Sequence, residues 1–486
     1  MIGDLGARDA TELAGLVAKG EVSPDELLDA ALAAVGARNP AINAVVLVQE
    51  EVARAEIRAG LPRGPFRGVP FLIKDLGLEA KDLPSLNGTR LAPARTYAAD
   101  CNMMARMRAT GVVTFGRTTS PEGGVGIATE AAVYGGPTRN PWNPDHTAGG
   151  SSGGAAAAVA AGIVAFAHGS DGGGSVRVPA SNCGLFGFKP TRARLPDGPW
   201  SGEGWAGMAI DGFLTRSVRD TAVMLDACEG PDPGAPYCAP PLAKGYGQAI
   251  SAPPRRLRVA ICDTTFTGAA IDPEVAAAVR EAGQLLESLG HHVEPARPKA
   301  DIGAMMRAWT DIVAVGTALT IRQKLKGRAL TADLVEGVGR GAVKHAEALG
   351  PLRYLEAVED IHDFGREMAY FFRPEDGPDA SGAGYDILLS ATLAEPPAHV
   401  GRFSHETEDY VDYRLGPGRC FDYSPFAAVF NASGQPAASL PLGWSKSDLP
   451  IGIHLAAPFG ADEELIALCA EVEAAVYWNR RAALAG

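Results

Sequence analysis

Apolar residues near the start of the chain recur with a helical period. Leu13, Leu16 and Val17, then Leu27, Leu28, Ala31, Leu32 and Val35, form such a stripe, so residues 8–35 are expected to be helical. Thr11, or Ser23 followed by Pro24 and Glu26, supplies the helix start. Val45 to Val48 is an apolar run of strand length, and Gly68-Val69-Pro70-Phe71-Leu72-Ile73-Lys74-Asp75 reads as a buried strand ending in charge. Residues 101–110 are expected to be helical and Val112 to Gly116 a strand. From Arg139 to Gly154 the pattern lapses, because Asn140-Pro141-Trp142-Asn143-Pro144 cannot hold a regular element. Ala155 to Ala161 has strong helix propensity, Gly162 ends it, and Ile163 to Ala167 suits a core strand. A glycine-rich loop from Gly169 to Gly174 follows.

Further on, Leu257 to Cys262 (strand), Pro273 to Leu289 (helix) and a strand opening at His292-Val293 set a β-α-β rhythm, which favours an α/β fold with parallel strands. Residues 300–372 read as mostly helical and Asp386 to Leu389 as a short buried strand. Pro374 to Gly384 has a linker's composition but lies between buried-looking segments, which makes it a surface loop rather than a domain boundary.

Composition narrows the function classes. Gly and Pro together are just under one residue in five of the 486, so tight turns are expected and bulk disorder is not. The net charge of −13 argues against nucleic-acid backbones and anionic membranes as main partners. Seven cysteines, an odd and widely spaced set without a C-x-x-C, point to reduced thiols in a cytoplasm rather than to disulfides or zinc. No basic-then-apolar start resembles a signal peptide, and the longest apolar run, Ala155 to Ala167, is too short to span a membrane.

Two small-residue loops hold the candidate chemistry. One is Gly149-Gly150-Ser151-Ser152-Gly153-Gly154; the other is Ser170-Asp171-Gly172-Gly173-Gly174-Ser175-Val176-Arg177. Consecutive inward backbone N–H groups beside a serine can build an oxyanion hole next to a nucleophile. Tight turns explain either loop alone. The pair says more, because Ser151 and Ser175 lie 24 residues apart across one helix and one strand, which returns both loops to the same sheet edge. A serine nucleophile also needs a base. None of the nine histidines stands in a recognisable triad context, whereas Lys74, at the end of an apolar strand, is desolvated enough to give up its proton. A lysine there can also be salt-bridged, with Asp75 the nearest partner. Gly149–Gly153 matches the G-x-S-x-G nucleophile elbow, but no strand precedes it, so that reading fails.

Together these motifs resemble the amidase signature family. The resemblance runs through Gly68–Asp75, Thr138–Asn143, Gly149–Gly154, Gly169–Pro179, Cys183–Thr191, Thr215–Asp220 and Phe430–Ala437, nearly the whole chain. It implies one large α/β domain over residues 1–486, with a twisted mixed sheet covered by helices on both faces. A helical N-terminal segment would occupy about 1–60, the signature core about 65–225 and a variable pocket region about 300–425. It further implies a Ser-Ser-Lys set: Ser175 as nucleophile, Ser151 as a bridging serine in a cis peptide, Lys74 as base. The backbone N–H groups of Gly172, Gly173, Gly174 and Ser175 would bind the oxyanion, supported by Asp171, Arg177 and Ser152. No metal or cofactor is implied; a homodimer is compatible. Gly172 departs from the Thr, Ile or Ala common in the family, and Ala155 from its Ser.

Within the family the chain looks most like the branch that includes 6-aminohexanoate cyclic-dimer hydrolases, with other amidases and urethanases sharing much of the pattern. A small apolar amide, linear or cyclic, is the expected substrate; a carbamate, an aryl amide or ester, and a glutaminase subunit of a tRNA-dependent amidotransferase are the alternatives. The pocket is expected from Gly123–Gly126 (Gly124, Val125 and Gly126 above all), Trp200–Met208, Trp309–Thr317 and Phe403–Phe426, with Trp200, Trp205, Trp309, Tyr410, Tyr413 and Tyr423 as aromatic candidates.

Overall fold

The structure, a computed structural model, describes residues 8–378 and 383–478. Its strands are β1 (Val45–Val48), β2 (Pro70–Lys74), β3 (Val113–Thr118), β4 (Phe166–Asp171), β5 (Phe186–Lys189), β6 (Ile210–Thr215), β7 (Arg258–Ile261), β8 (His292–Pro295), β9 (Ile387–Ala391), β10 (Ala437–Trp444) and β11 (Pro450–Ala456). They form one mixed sheet in the order β1-β3-β2-β4-β6-β5-β10-β11-β9-β7-β8. Parallel pairs join β2 to β3 and β4, and β7 to β8 and β9. The centre, from β4 through β11 to β9, is antiparallel. Every residue of β2, β3, β5, β9 and β11 is buried, which requires cover on both faces of the sheet. The edge strands β1 and β8 are only partly buried.

Hydrophobic periodicity located the first helices, Ala10–Ala18 and Pro24–Ile42. Ser23 closes the expected capping box with Glu26. Asp9, not Thr11, caps the first helix, its carboxylate accepting from Glu12 N at 2.9 Å while Thr11 donates to Asp220. The 300–372 stretch resolves into helices Ile302–Leu325, Gly337–Ala348 and Pro351–Phe372. Of the loop expected at Pro374 to Gly384, residues 379–382 lie outside the described residues, as do the ends of the 1–486 domain. The described part opens with a short turn at Pro374–Asp376.

One strand is displaced from its expected place. Ile163–Ala165 form bends, and the strand runs from Phe166 to Asp171. Its ladder with β6 sets the limits, pairing Phe166 with Thr215 and Asp171 with Ile210. Gly169 and Ser170, expected in a loop, are therefore strand residues, and the glycine loop proper starts at Gly172. The seven cysteines are all unpaired thiols, and only Cys238 is exposed. Among the described residues no helix is long and apolar enough to cross a membrane.

Candidate active site

Lys74 ends β2, between β3 and β4, and is wholly buried. The buried Arg117 guanidinium fixes the strand end by donating to the Lys74 carbonyl at 2.9 Å. Asp75 turns away from Lys74. Its carboxylate accepts from Leu86 N and from the Tyr134 hydroxyl, so no salt bridge ties up the lysine. The Lys74 amine lies 2.7 Å from Ser151 Oγ and 2.9 Å from Ser170 Oγ. Burial brings its pKa down to about 7, against the upward pull of Asp211 and Asp171.

Ser151 follows a stretch without strand or helix, as the prolines dictate, and side chains hold that stretch rigid. Asn140 Nδ2 donates to the Asn182 carbonyl at 2.7 Å, Trp142 Nε1 to the Cys183 carbonyl at 2.9 Å, and Thr129 Oγ1 to the Gly149 carbonyl at 2.8 Å. The Gly150–Ser151 peptide is cis. Ser152 then bonds both backbone groups of Ser170 at 3.2 Å, and its own N–H donates to the Ser175 carbonyl at 3.2 Å. The two small-residue loops thus lie against each other.

The Gly172–Ser175 loop is shaped by what surrounds it. Gly174 sits at φ +121°, where a Cβ would also meet that of Ala427 at 2.6 Å. A Cβ on Gly172 would stand 2.5 Å from the Trp205 ring, and one on Gly173 2.7 Å from the Trp309 ring. The unusual glycine at 172 therefore makes room for Trp205, which itself holds a left-handed φ of 50°. Trp309 Nε1 donates to the Gly172 carbonyl at 3.0 Å.

Beneath the loop, Asp171 accepts from Gly174 N at 2.8 Å, Val176 N at 3.1 Å and the Arg177 guanidinium at 2.9 and 3.0 Å. Burial alone would raise this carboxyl; Arg177 and Asn431 instead hold it well below the usual carboxylate range. Asn431 bridges the pair, donating to Asp171 at 2.9 Å and accepting from Arg177 at 2.6 Å, and His454 Nε2 lies 3.1 Å from Arg177 Nη1. Burial and Arg177 push the His454 pKa far down, so its ring is neutral. The sequence reading gave neither Asn431 nor His454 a role.

This network corrects one expectation. The N–H of Gly174 is committed to Asp171, because the positive φ turns it inward toward the carboxylate. It is not available to an oxyanion, whereas no hydrogen bond to a described residue engages the N–H groups of Gly172, Gly173 and Ser175.

Ser175, Gly173 and Gly150 line one cavity with Gly124, Val125, Gly126, Ile127, Val178, Trp205, Trp309, Arg414, Cys420, Phe421 and Ser424. The expected Gly124, Val125, Gly126, Trp205 and Trp309 are thus on its wall. Tyr410, Tyr413 and Tyr423 are not; they are buried in a satellite cluster with Phe403 and Leu393. Trp200 is 58% exposed. Arg414, Cys420, Phe421 and Ser424 come from the expected Phe403–Phe426 stretch, although the sequence does not single them out, because its helices Tyr410–Leu415 and Cys420–Tyr423 are too short for periodicity to show which way they face. Ser170 lines a second hollow with Glu79, Asp197 and Asp211. Among the described residues no group of His, Cys, Asp and Glu is arranged to hold a metal ion.

The Amidase family profile matches residues 26–466. The chain belongs to the amidase signature family. It is 38% identical to a 6-aminohexanoate-cyclic-dimer hydrolase of Paenarthrobacter ureafaciens, over 98% of this chain and 96% of that protein. Among solved structures, the complex of 6-aminohexanoate cyclic dimer hydrolase with substrate superposes with a TM-score of 0.89 at 36% identity, covering 98% of each chain. A bacterial aryl acylamidase of the amidase signature family superposes with a TM-score of 0.84 at 27% identity, covering 98% of this chain and 97% of its own. Amide hydrolysis is the chemistry of this amidase family, and the mixed sheet above is its fold.

Proposed function

We propose that this amidase cleaves a small amide through an acyl-enzyme on Ser175, with Ser151 and Lys74 as its proton relay. The observation that carries the reading is a buried lysine, its pKa brought down to about 7, whose amine lies 2.7 Å from the Oγ of Ser151, the residue after Gly150 on the wall of the Ser175 cavity. Neutral Lys74 takes the Ser151 proton as Ser151 takes that of Ser175, and the Ser175 oxygen attacks the carbonyl carbon. The N–H groups of Gly172, Gly173 and Ser175 receive the oxyanion. The proton returns along the relay to the departing nitrogen, the C–N bond breaks, and water entering by the same base sequence frees the acid from Ser175.

The cavity wall combines Val125, Val178, Trp205, Trp309 and Phe421, which suits an apolar body. Together with the similarity to cyclic-dimer hydrolases, this favours a small aliphatic amide, linear or cyclic. The Trp205–Trp309 and Trp309–Phe421 edge contacts, at 5.9 and 5.4 Å, also favour an aryl amide as a second reading.

A fluorophosphonate probe should label Ser175, located by peptide mass spectrometry, and abolish amide cleavage. Label on Ser151 with Ser175 free would overturn the assignment. A screen of the isolated chain on aliphatic amides, anilides, carbamates and esters then separates the substrate readings. Activity on glutamine alone would favour the amidotransferase-subunit alternative.

A further inference from the structure

Arg414 enters the cavity wall from the helix Tyr410–Leu415 and is 5% exposed. Its guanidinium carbon lies 5.1, 5.4 and 5.3 Å from the ring centres of Trp309, Tyr410 and Tyr413. One Nη donates to the Val125 carbonyl. The Nε–H is buried and makes no hydrogen bond.

Three other buried arginines have a carboxylate partner or have every nitrogen hydrogen-bonded. Arg177 is paired with Asp171, and Arg194 with Asp462. Arg117 spends Nε and both Nη atoms on the carbonyls of Lys74, Leu78 and Leu83. Around Arg414 the polar neighbours are Tyr410, Tyr413 and Cys420, and burial pushes the pKa of all three up, so each is uncharged at neutral pH. No described carboxylate pairs with Arg414, and none lines the cavity. A buried cation with an unbonded Nε–H and no carboxylate partner is one whose charge an incoming anion can complement. Aromatic faces offset part of the cost of burying the charge but accept no hydrogen bond from Nε.

We propose that Arg414 determines specificity by binding a carboxylate at one end of the substrate, so that the preferred substrates are amides of an aliphatic acid or amine bearing a terminal carboxylate. This rests on Ser175 being the nucleophile in the same cavity. A neutral amide fills the aromatic walls but leaves the guanidinium uncompensated.

The test uses three substrates of one length: N-hexylhexanamide, its analogue with a carboxylate ending the amine part, and its analogue with a carboxylate ending the acyl part. For the wild-type enzyme, one carboxylated analogue should exceed the neutral amide in kcat/KM by at least about tenfold, chiefly through KM. The analogue that gains identifies the side on which Arg414 lies. Arg414→Met should erase that ratio, and Arg414→Lys should keep part of it. A residue that merely held the Val125 carbonyl would, when replaced, lower all three substrates alike, and that result would overturn the proposal. So would a wild-type enzyme indifferent to the carboxylate, a comparison that needs no variant to fold. Cleavage surviving in Ser175→Ala would instead fault the nucleophile assignment.

Discussion

Lys74 and Lys189 each end a buried strand, and burial brings both ammonium groups down to about 7. Their partners separate them. Lys74 meets the hydroxyls of Ser151 and Ser170 as well as the Ser170 carbonyl. Lys189 donates to the Pro190 carbonyl at 2.9 Å and lies among Asp171, Arg177, Arg192 and Asp462. A carbonyl has no proton to give, so Lys189 cannot start a relay. A shifted pKa therefore marks burial, and only the proton-bearing neighbour marks chemistry.

The sharpest way to break that contrast is to remove each amine in turn. Lys74→Ala should lower kcat/KM by roughly three to four orders of magnitude. Lys189→Met should stay within about tenfold of wild type once folding is confirmed by circular dichroism, because its amine has no step to perform. Equal losses in two folded variants would dissolve the distinction. A double variant sharpens it further. If Lys74 and Ser151 act as one unit, Lys74→Ala/Ser151→Ala should lose no more than about tenfold beyond Lys74→Ala alone. Multiplying losses would show two independent roles.

Smaller effects should appear along the pH axis. With Lys74 needed neutral, kcat/KM should rise through a limb near pH 7 and level off above it. Asp211 raises the Lys74 pKa, so Asp211→Asn should move the limb to lower pH by less than about one unit. A limb that stays in place would remove Asp211 from the lysine's surroundings. Stability gives the last check. Between about 7 and the lysine's usual 10.5, the unfolded chain binds a proton at residue 189 that the folded chain does not. Stability therefore rises with pH across that window, and the full penalty stands below it. Lys189→Met should remove about 1.4 kcal/mol per pH unit from that slope, read from urea unfolding at pH 8 and 9.

The same contrast shows what sequence reasoning could reach. An apolar run ending in lysine describes Phe71-Leu72-Ile73-Lys74 and Phe186-Gly187-Phe188-Lys189 equally well. Strand position makes Lys74 a candidate base, and the match to the amidase signature motifs is what favours it over a salt-bridged lysine. The β-α-β rhythm at 257–295 was legible because its strands are apolar and its helix amphipathic, and β7 and β8 pair in parallel as expected. The start of β4 was not legible: Ile163–Ala165 are as apolar as a strand, and only the ladder to β6 excludes them. The pocket wall was legible at Trp205 and Trp309 but not at Arg414, since an arginine near the end of a six-residue helix carries no pattern that says which way it faces. Nor could spacing show that Gly174 N is claimed by Asp171, which depends on one positive φ.

The order of strands in the sheet also orders events in time. β10 and β11, which follow every other strand of the described residues in the chain, lie between β5 and β9 and join the earlier strands of the sheet to the later ones. Asn431 precedes them and His454 lies on β11, and both contact the Asp171–Arg177 pair. As the ribosome releases the chain, Lys74, Ser151 and Ser175 emerge long before either contact can form. A nascent chain thus carries the reactive loop without its clamp and a sheet without its middle. On the Ser175 mechanism proposed above, hydrolytic competence would therefore be acquired when the β10–β11 hairpin docks.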